Sequence, residues 1–162
     1  MSKLGLQKAF LAKLFYKGNI FRSILMHQAY KDLDFCCDIT KVDNLYGVSA
    51  TRLMARIRRY ADGRSLKEPT EINVERIPFF AIKDKTPPNG ESWEDFKNRK
   101  GDMEKELIQL RAYFWHDEDN DLNKLMCITH FIQKTQPKMK EEDVSMCRDQ
   151  KFLFEKNQYF YD

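Results

Sequence analysis

The chain has 162 residues, enough for one domain that buries its own core without disulfide or metal staples. Hydrophobic residues at 42% and charged residues at 33% exclude a disordered chain and argue against a membrane protein. A formal net charge of +3 is too small to announce a polyanion partner, so any nucleic-acid footprint has to be a local patch.

No uninterrupted apolar run approaches the roughly 18 residues that span a bilayer. The first residues are basic and partly apolar, but Lys8 and Lys13 interrupt any signal-like core, so the expectation is a cytoplasmic protein with no membrane partner. Cys36, Cys37, Cys127 and Cys147 form no CxxC pair and no metal spacing, which points to free, mostly buried thiols.

In chain order, Leu4 to Tyr16 places Leu4, Phe10, Leu11, Leu14 and Phe15 on one helical face, and Gly18-Asn19 stops it. Residues 1–18 are thus expected to be a helical extension ahead of a domain spanning 19–162. Phe21, Ser23 and Leu25 alternate with Arg22, Ile24 and Met26, predicting a strand, and the following HQAYKDLDFCCDI has helical spacing. Gly47 is expected to separate two helices, with Ser49 capping the second and Asp62-Gly63 ending it. Leu53, Ile57 and Tyr60 mark that helix's apolar face, while Arg52, Arg56, Arg58 and Arg59 crowd the rest. These arginines fit either contact with an RNA backbone or a solvated face paired with nearby acids.

Ile72 to Lys83 reads as one strand, bent at Pro78. The polar segment 84–105 reads as an insertion, in which Ser92 followed by Asp95 starts a short helix. From Leu107 to Gln136 the pattern is a hairpin. Ile108, Leu110, Ala112 and Phe114 alternate with Gln109, Arg111, Tyr113 and Trp115. Beyond a polar turn, Leu125, Cys127, Thr129 and Phe131 alternate with Met126, Ile128, His130 and Ile132. Asp117, Asp119 and Asp121 imitate the start of a calcium loop, but Leu122 replaces its glycine and Ile128 its bidentate glutamate, so no metal is expected. Residues 138–157 read as a helix that packs across the sheet, followed by an aromatic tail, Tyr159 to Tyr161.

Arg111-Ala112-Tyr113-Phe114, the acidic turn, the apolar strand, Phe131-x-x-Lys134-Thr135-Gln136 and the final helix together resemble the C-terminal half of RelE/HigB-like toxins, particularly their phage-derived HigB relatives. Gln133 stands where the family usually has a first lysine, and Pro137-Lys138 reverses the usual order. The early strand with its Gln-Ala-x-Lys-Asp-Leu helix resembles the start of the same fold, and Gly63, Leu66 and Pro69 follow in the family's order. The resemblance implies an α+β fold: a small mostly antiparallel sheet with N-terminal helices and a C-terminal helix.

The resemblance also implies a ribosome-associated endoribonuclease that cuts mRNA without a metal or cofactor and is controlled by a cognate antitoxin protein. Such a reaction needs a proton acceptor for the 2′-hydroxyl, cations for the phosphate and a proton for the leaving oxygen. Arg111 is the expected phosphate ligand, since guanidinium holds phosphate bidentately. Lys83 or Lys134 is the expected base or clamp, with His130 as a further catalytic candidate. Lys85, Arg56 and Arg59 are expected to bind RNA, and Tyr113 or Tyr159 to stack on a base. Each has a plainer alternative: Arg111 pairs with Glu75 or Asp84, and His130 is a hydrogen-bonded core residue. Two other functions stay open, a catalytically inactive binding protein of phage or mobile-element origin on the same fold, and a ParE-like gyrase inhibitor.

Overall fold

A computed structural model describes residues 12–32, 44–87, 91–98, 106–133 and 139–162. Within them six strands form one sheet: β1 (Lys13–Lys17), β2 (Arg22–Leu25), β3 (Ile72–Val74), β4 (Phe80–Thr86), β5 (Ile108–Glu118) and β6 (Lys124–Gln133). Their order is β1-β2-β6-β5-β4-β3; only β2 and β6 run parallel. The long helices are α1 (Asn44–Ala61) and α3 (Glu141–Lys156), with a short α2 (Trp93–Asn98) between them. The fold is α+β, as the resemblance implies.

The central hairpin forms as its alternation predicts. Ile108, Leu110, Ala112 and Phe114 join Ile82, Met126 and Ile128 under Leu53, Met54 and Ile57 of α1. The other face carries Ala81, Tyr113, Trp115, Leu125 and Cys127 and is covered by Cys147 and Phe154 of α3. The sheet is therefore buried on both sides, a helix per face. Leu53 and Ile57, at 1% and 0% exposure, each contribute about 1.5–3 kcal/mol by leaving water. Cys127 and Cys147 are free and buried, as expected; Cys36 and Cys37 lie outside the described residues.

Four expectations are corrected. Residues 13–17 are a strand, not the end of a helix. Gly18 and Asn19 turn the chain back antiparallel to β2, and hydrogen bonding to a neighbour outweighs helical spacing in so short a piece. Residues 1–11 lie outside the described set. Gly47 breaks nothing, because α1 runs continuously from Asn44. Ser49 is inside that helix rather than at its cap, and its hydroxyl donates to Asp84 Oδ2 at 2.6 Å. The single strand read at 72–83 is two, β3 and β4, joined by a turn that includes Pro78, and β4 runs on to Thr86, into the segment read as an insertion.

Other local predictions hold. Residues 27–32 are helical, the rest of the predicted 27–39 helix lying outside the described residues; Ser92 Oγ accepts from Asp95 N at 3.1 Å at the start of α2, and Asp62-Gly63 follow the end of α1 at Ala61. Gly63 has φ +84°, and the bonds Gly63 N to Tyr60 O and Arg64 N to Arg59 O close a Schellman motif.

In β6 the predicted alternation holds to Ile128 and then slips by one. Phe114 pairs with Ile128 but Tyr113 pairs with His130, leaving Thr129 as a bulge. Phe131 consequently packs on the α1 side, while Thr129 and His130 both bond to α3.

Candidate functional site

The bulge, the β4–β5 register and α3 build a buried polar cluster on the α3 side of the sheet. Lys83 of β4 is the cross-strand partner of Arg111 of β5, and Tyr113, two residues on, is that of His130. Glu75, just beyond β3, places Oε1 at 3.5 Å from Lys83 Nζ and 3.6 Å from Arg111 Nη1. One carboxylate thus answers two neighbouring cations. Lys83 is held below its ordinary pKa of 10.5, first by burial and then by Arg111, with Glu75 opposing.

Beside this group the His130 ring lies 5.1 Å from that of Tyr113. Its Nε2 is 3.0 Å from Asp143 Oδ1, and its Nδ1 is 2.8 Å from Thr129 Oγ1. Both ring nitrogens are engaged, so His130 fixes the first turn of α3 on the sheet. Arg76 Nη2, 2.7 Å from Glu141 Oε1, adds a surface tie at the same end of α3. Burial pushes the Tyr113 hydroxyl pKa well up.

Of the expected catalytic residues, Lys83, Arg111 and His130 come together here; Lys134 lies outside the described residues. All three are enclosed, at 8%, 3% and 3% exposure, and Tyr113 at 0% offers no face for stacking. Arg111 pairs with Glu75, one of the plainer alternatives above. Tyr159 is elsewhere. Its ring packs edge-on against Phe154 at 5.6 Å, near Asp117, which is six residues or about 20 Å along β5 from Arg111. Asp143 went unrecognised in the sequence, since nothing local marks a carboxylate that reaches the sheet from a helix.

A second group lies on the α1 side. Arg56 Nη1 is 3.0 Å from Asp84 Oδ1 and its Nε 3.2 Å from Glu71 Oε2; it also donates to the Lys83 carbonyl. Arg52 grips Asp84 through Nε at 3.0 Å and Nη2 at 3.2 Å. Arg59 Nη1 reaches Glu71 at 3.7 Å. Glu71 is held below the usual carboxylate range, first by the Lys67 amide and then by Arg56 and Arg59, against the effect of burial. Lys85, at the far end of β4, and Lys67 complete the rim of an open pocket of about 320 Å³. Arg56 and Lys85 share this pocket, and Arg59 flanks it through Glu71. Arg52, Arg56 and Arg59 are thus paired with Asp84 and Glu71, the plainer of the two sequence readings.

No group of three or more potential metal ligands occurs among the described residues. Asp119, in the imitation calcium loop, is committed to the β5–β6 turn. It accepts from the amides of Asp121 and Asn123, the Asn123 side chain and the Tyr161 hydroxyl. No helix among the described residues is long and apolar enough to cross a membrane. No protein-family model, curated protein or solved structure matches the chain.

Proposed function

We infer that the chain is a HigB/RelE-like toxin, a ribosome-associated mRNA endoribonuclease restrained by a cognate antitoxin. The observation that carries this reading is the pairing of Lys83 with Arg111 on adjacent strands, a lysine of lowered pKa beside a guanidinium. In its neutral form Lys83 takes the proton of the 2′-hydroxyl, whose oxygen attacks the adjacent phosphorus. The bond to the 5′-oxygen breaks, leaving a 2′,3′-cyclic phosphate and a 5′-hydroxyl. Arg111 offsets charge on the phosphate oxygens. Lys134 is the second clamp and proton source of this reading, and His130 and Asp143 position α3 beside the cluster.

A second reading, an inactive binding protein on the same scaffold, is favoured by one observation: the cluster is enclosed under α3, so substrate reaches it only if that helix moves. Controlled induction of the chain, with primer extension on abundant messages, separates the readings. New 5′ ends within translated codons that vanish with Lys83→Met and Arg111→Met support the nuclease. Arrest with intact messages shifts the reading to a gyrase-type target, and normal growth with intact messages supports the inactive protein.

A further inference from the structure

We propose that the pocket between α1, β4 and α2 is a subsite for one nucleotide of single-stranded RNA, with a phosphate on its cations and a base on Trp93. The inference deepens the RNA-directed reading above and rests on it, but it concerns binding through a surface separate from the Lys83–Arg111 cluster.

Three observations converge. The pocket lining brings three cationic side chains, Arg52, Arg56 and Lys67, against two carboxylates, Glu71 and Asp84, while Lys85 borders it from β4 with its side chain on the Lys83 face. Asp84 is 1% exposed and already accepts from Ser49, Thr86 and both arginines, so it stands behind the guanidiniums rather than in the opening. Arg52, by contrast, is 42% exposed in its side chain and presents a guanidinium whose orientation is fixed before any ligand arrives. A preset guanidinium loses less freedom on binding phosphate than a free one.

Trp93 of α2 lines the same pocket, 42% exposed. Its indole meets Phe96 edge-on, with ring planes at 88° and centroids 6.0 Å apart, so the contact sets its tilt. A large exposed aromatic beside surplus cations is the pairing that holds unstacked bases. The volume, about 320 Å³, sits at the small end of ligand sites and suits a single nucleotide rather than a duplex.

The test uses the full chain and a fluorescein-labelled single-stranded RNA of about eight nucleotides with 2′-O-methyl groups, which binds but cannot be cut. Anisotropy is followed across a salt series. Trp93→Ala is expected to weaken binding about tenfold, while Trp93→Phe stays within a few-fold of the parent. Lys67→Gln is expected to flatten the slope of log Kd against log salt by about 0.7. An affinity unchanged by Trp93→Ala overturns the subsite, as does binding of a poly-glutamate peptide with no binding of the RNA. Tight binding of the blocked RNA without cleavage of an unblocked one keeps the subsite and overturns the nuclease reading alone.

Discussion

Asp84 shows how a single carboxylate organises the α1 side of the molecule. Ser49, Thr86, Arg52 and Arg56 all converge on its two oxygens, at 1% exposure. Replacing it with Ala takes from Arg52 and Arg56 the carboxylate they share and leaves Ser49 without its acceptor; we expect a loss of about 3–5 kcal/mol, read as a drop in the urea midpoint at constant m. Asp119 makes a pH-dependent contribution. Burial raises its pKa, but the hydrogen bonds from Asn123, Tyr161 and Asp121 outweigh this and hold it below 3.8. Its folded pKa is depressed, so its stabilisation is complete above the unfolded value and disappears as pH falls through the folded one. Asp119→Asn should therefore flatten the stability profile below about pH 4, and an unchanged acid limb in a thermal-denaturation series would sink this assignment.

At the scale of elements, the β1–β2 turn and the bulge in β6 carry the most information. Gly18 sits against the end of α1, where Ile20 N and Phe21 N both donate to the Ala61 carbonyl at 2.9 Å. A Cβ at Gly18 collides with that carbonyl, so Gly18→Ala should cost about 1–3 kcal/mol and loosen the hairpin, visible as faster amide exchange at Ile20 and Phe21. Deleting Thr129 removes the bulge and returns β6 to simple alternation. His130 stays opposite Tyr113, but the contacts of the Thr129 hydroxyl with His130 Nδ1 and Cys147 Sγ are lost, which should loosen the first turn of α3, detectable by hydrogen exchange at Val144, whose amide donates to the Lys140 carbonyl at 3.1 Å. The β5–β6 hairpin was legible in the sequence because period-two alternation is a local signal. The bulge was not, because one extra residue in an otherwise apolar strand leaves no mark on composition. The helix read into residues 13–17 failed for a related reason: five residues fit two periods, and the partner strand decides.

At the scale of the whole molecule, a helix on each face makes α3 the lid of the buried cluster. Phe154, 5% exposed, meets Trp115 at 6.1 Å and Tyr159 at 5.6 Å. Phe154→Ala should cost about 3–5 kcal/mol, and indole emission should shift to the red as Trp115, at 0% exposure, meets water. If the nuclease reading holds, milder loosening at Glu141→Ala should leave the thermal midpoint essentially unchanged yet raise cleavage by freeing the route to Lys83. The rate should also climb with pH to an apparent pKa below 10.5, since Lys83 acts in its neutral form. Lys83 and Arg111 were singled out as candidates by the family resemblance and by their places on expected strands. Their enclosure was not legible, because it depends on Glu75 and Asp143, which sit far away in the chain and reach the cluster only through the fold.

The ends of the described chain meet at the outer strand. Ala12 bridges Tyr161, Leu14 N donates to the Asp162 carbonyl at 2.9 Å, and Asp162 N donates to that of Ala12 at 3.1 Å. A sheet's outermost strand is ordinarily a template on which a foreign strand can dock, and here its first rungs are already occupied. The opposite border, β3, is only three residues long. Among the described residues, self-association by strand addition thus has little to grip at either margin, and removing Tyr161 and Asp162 would bare the one they shield.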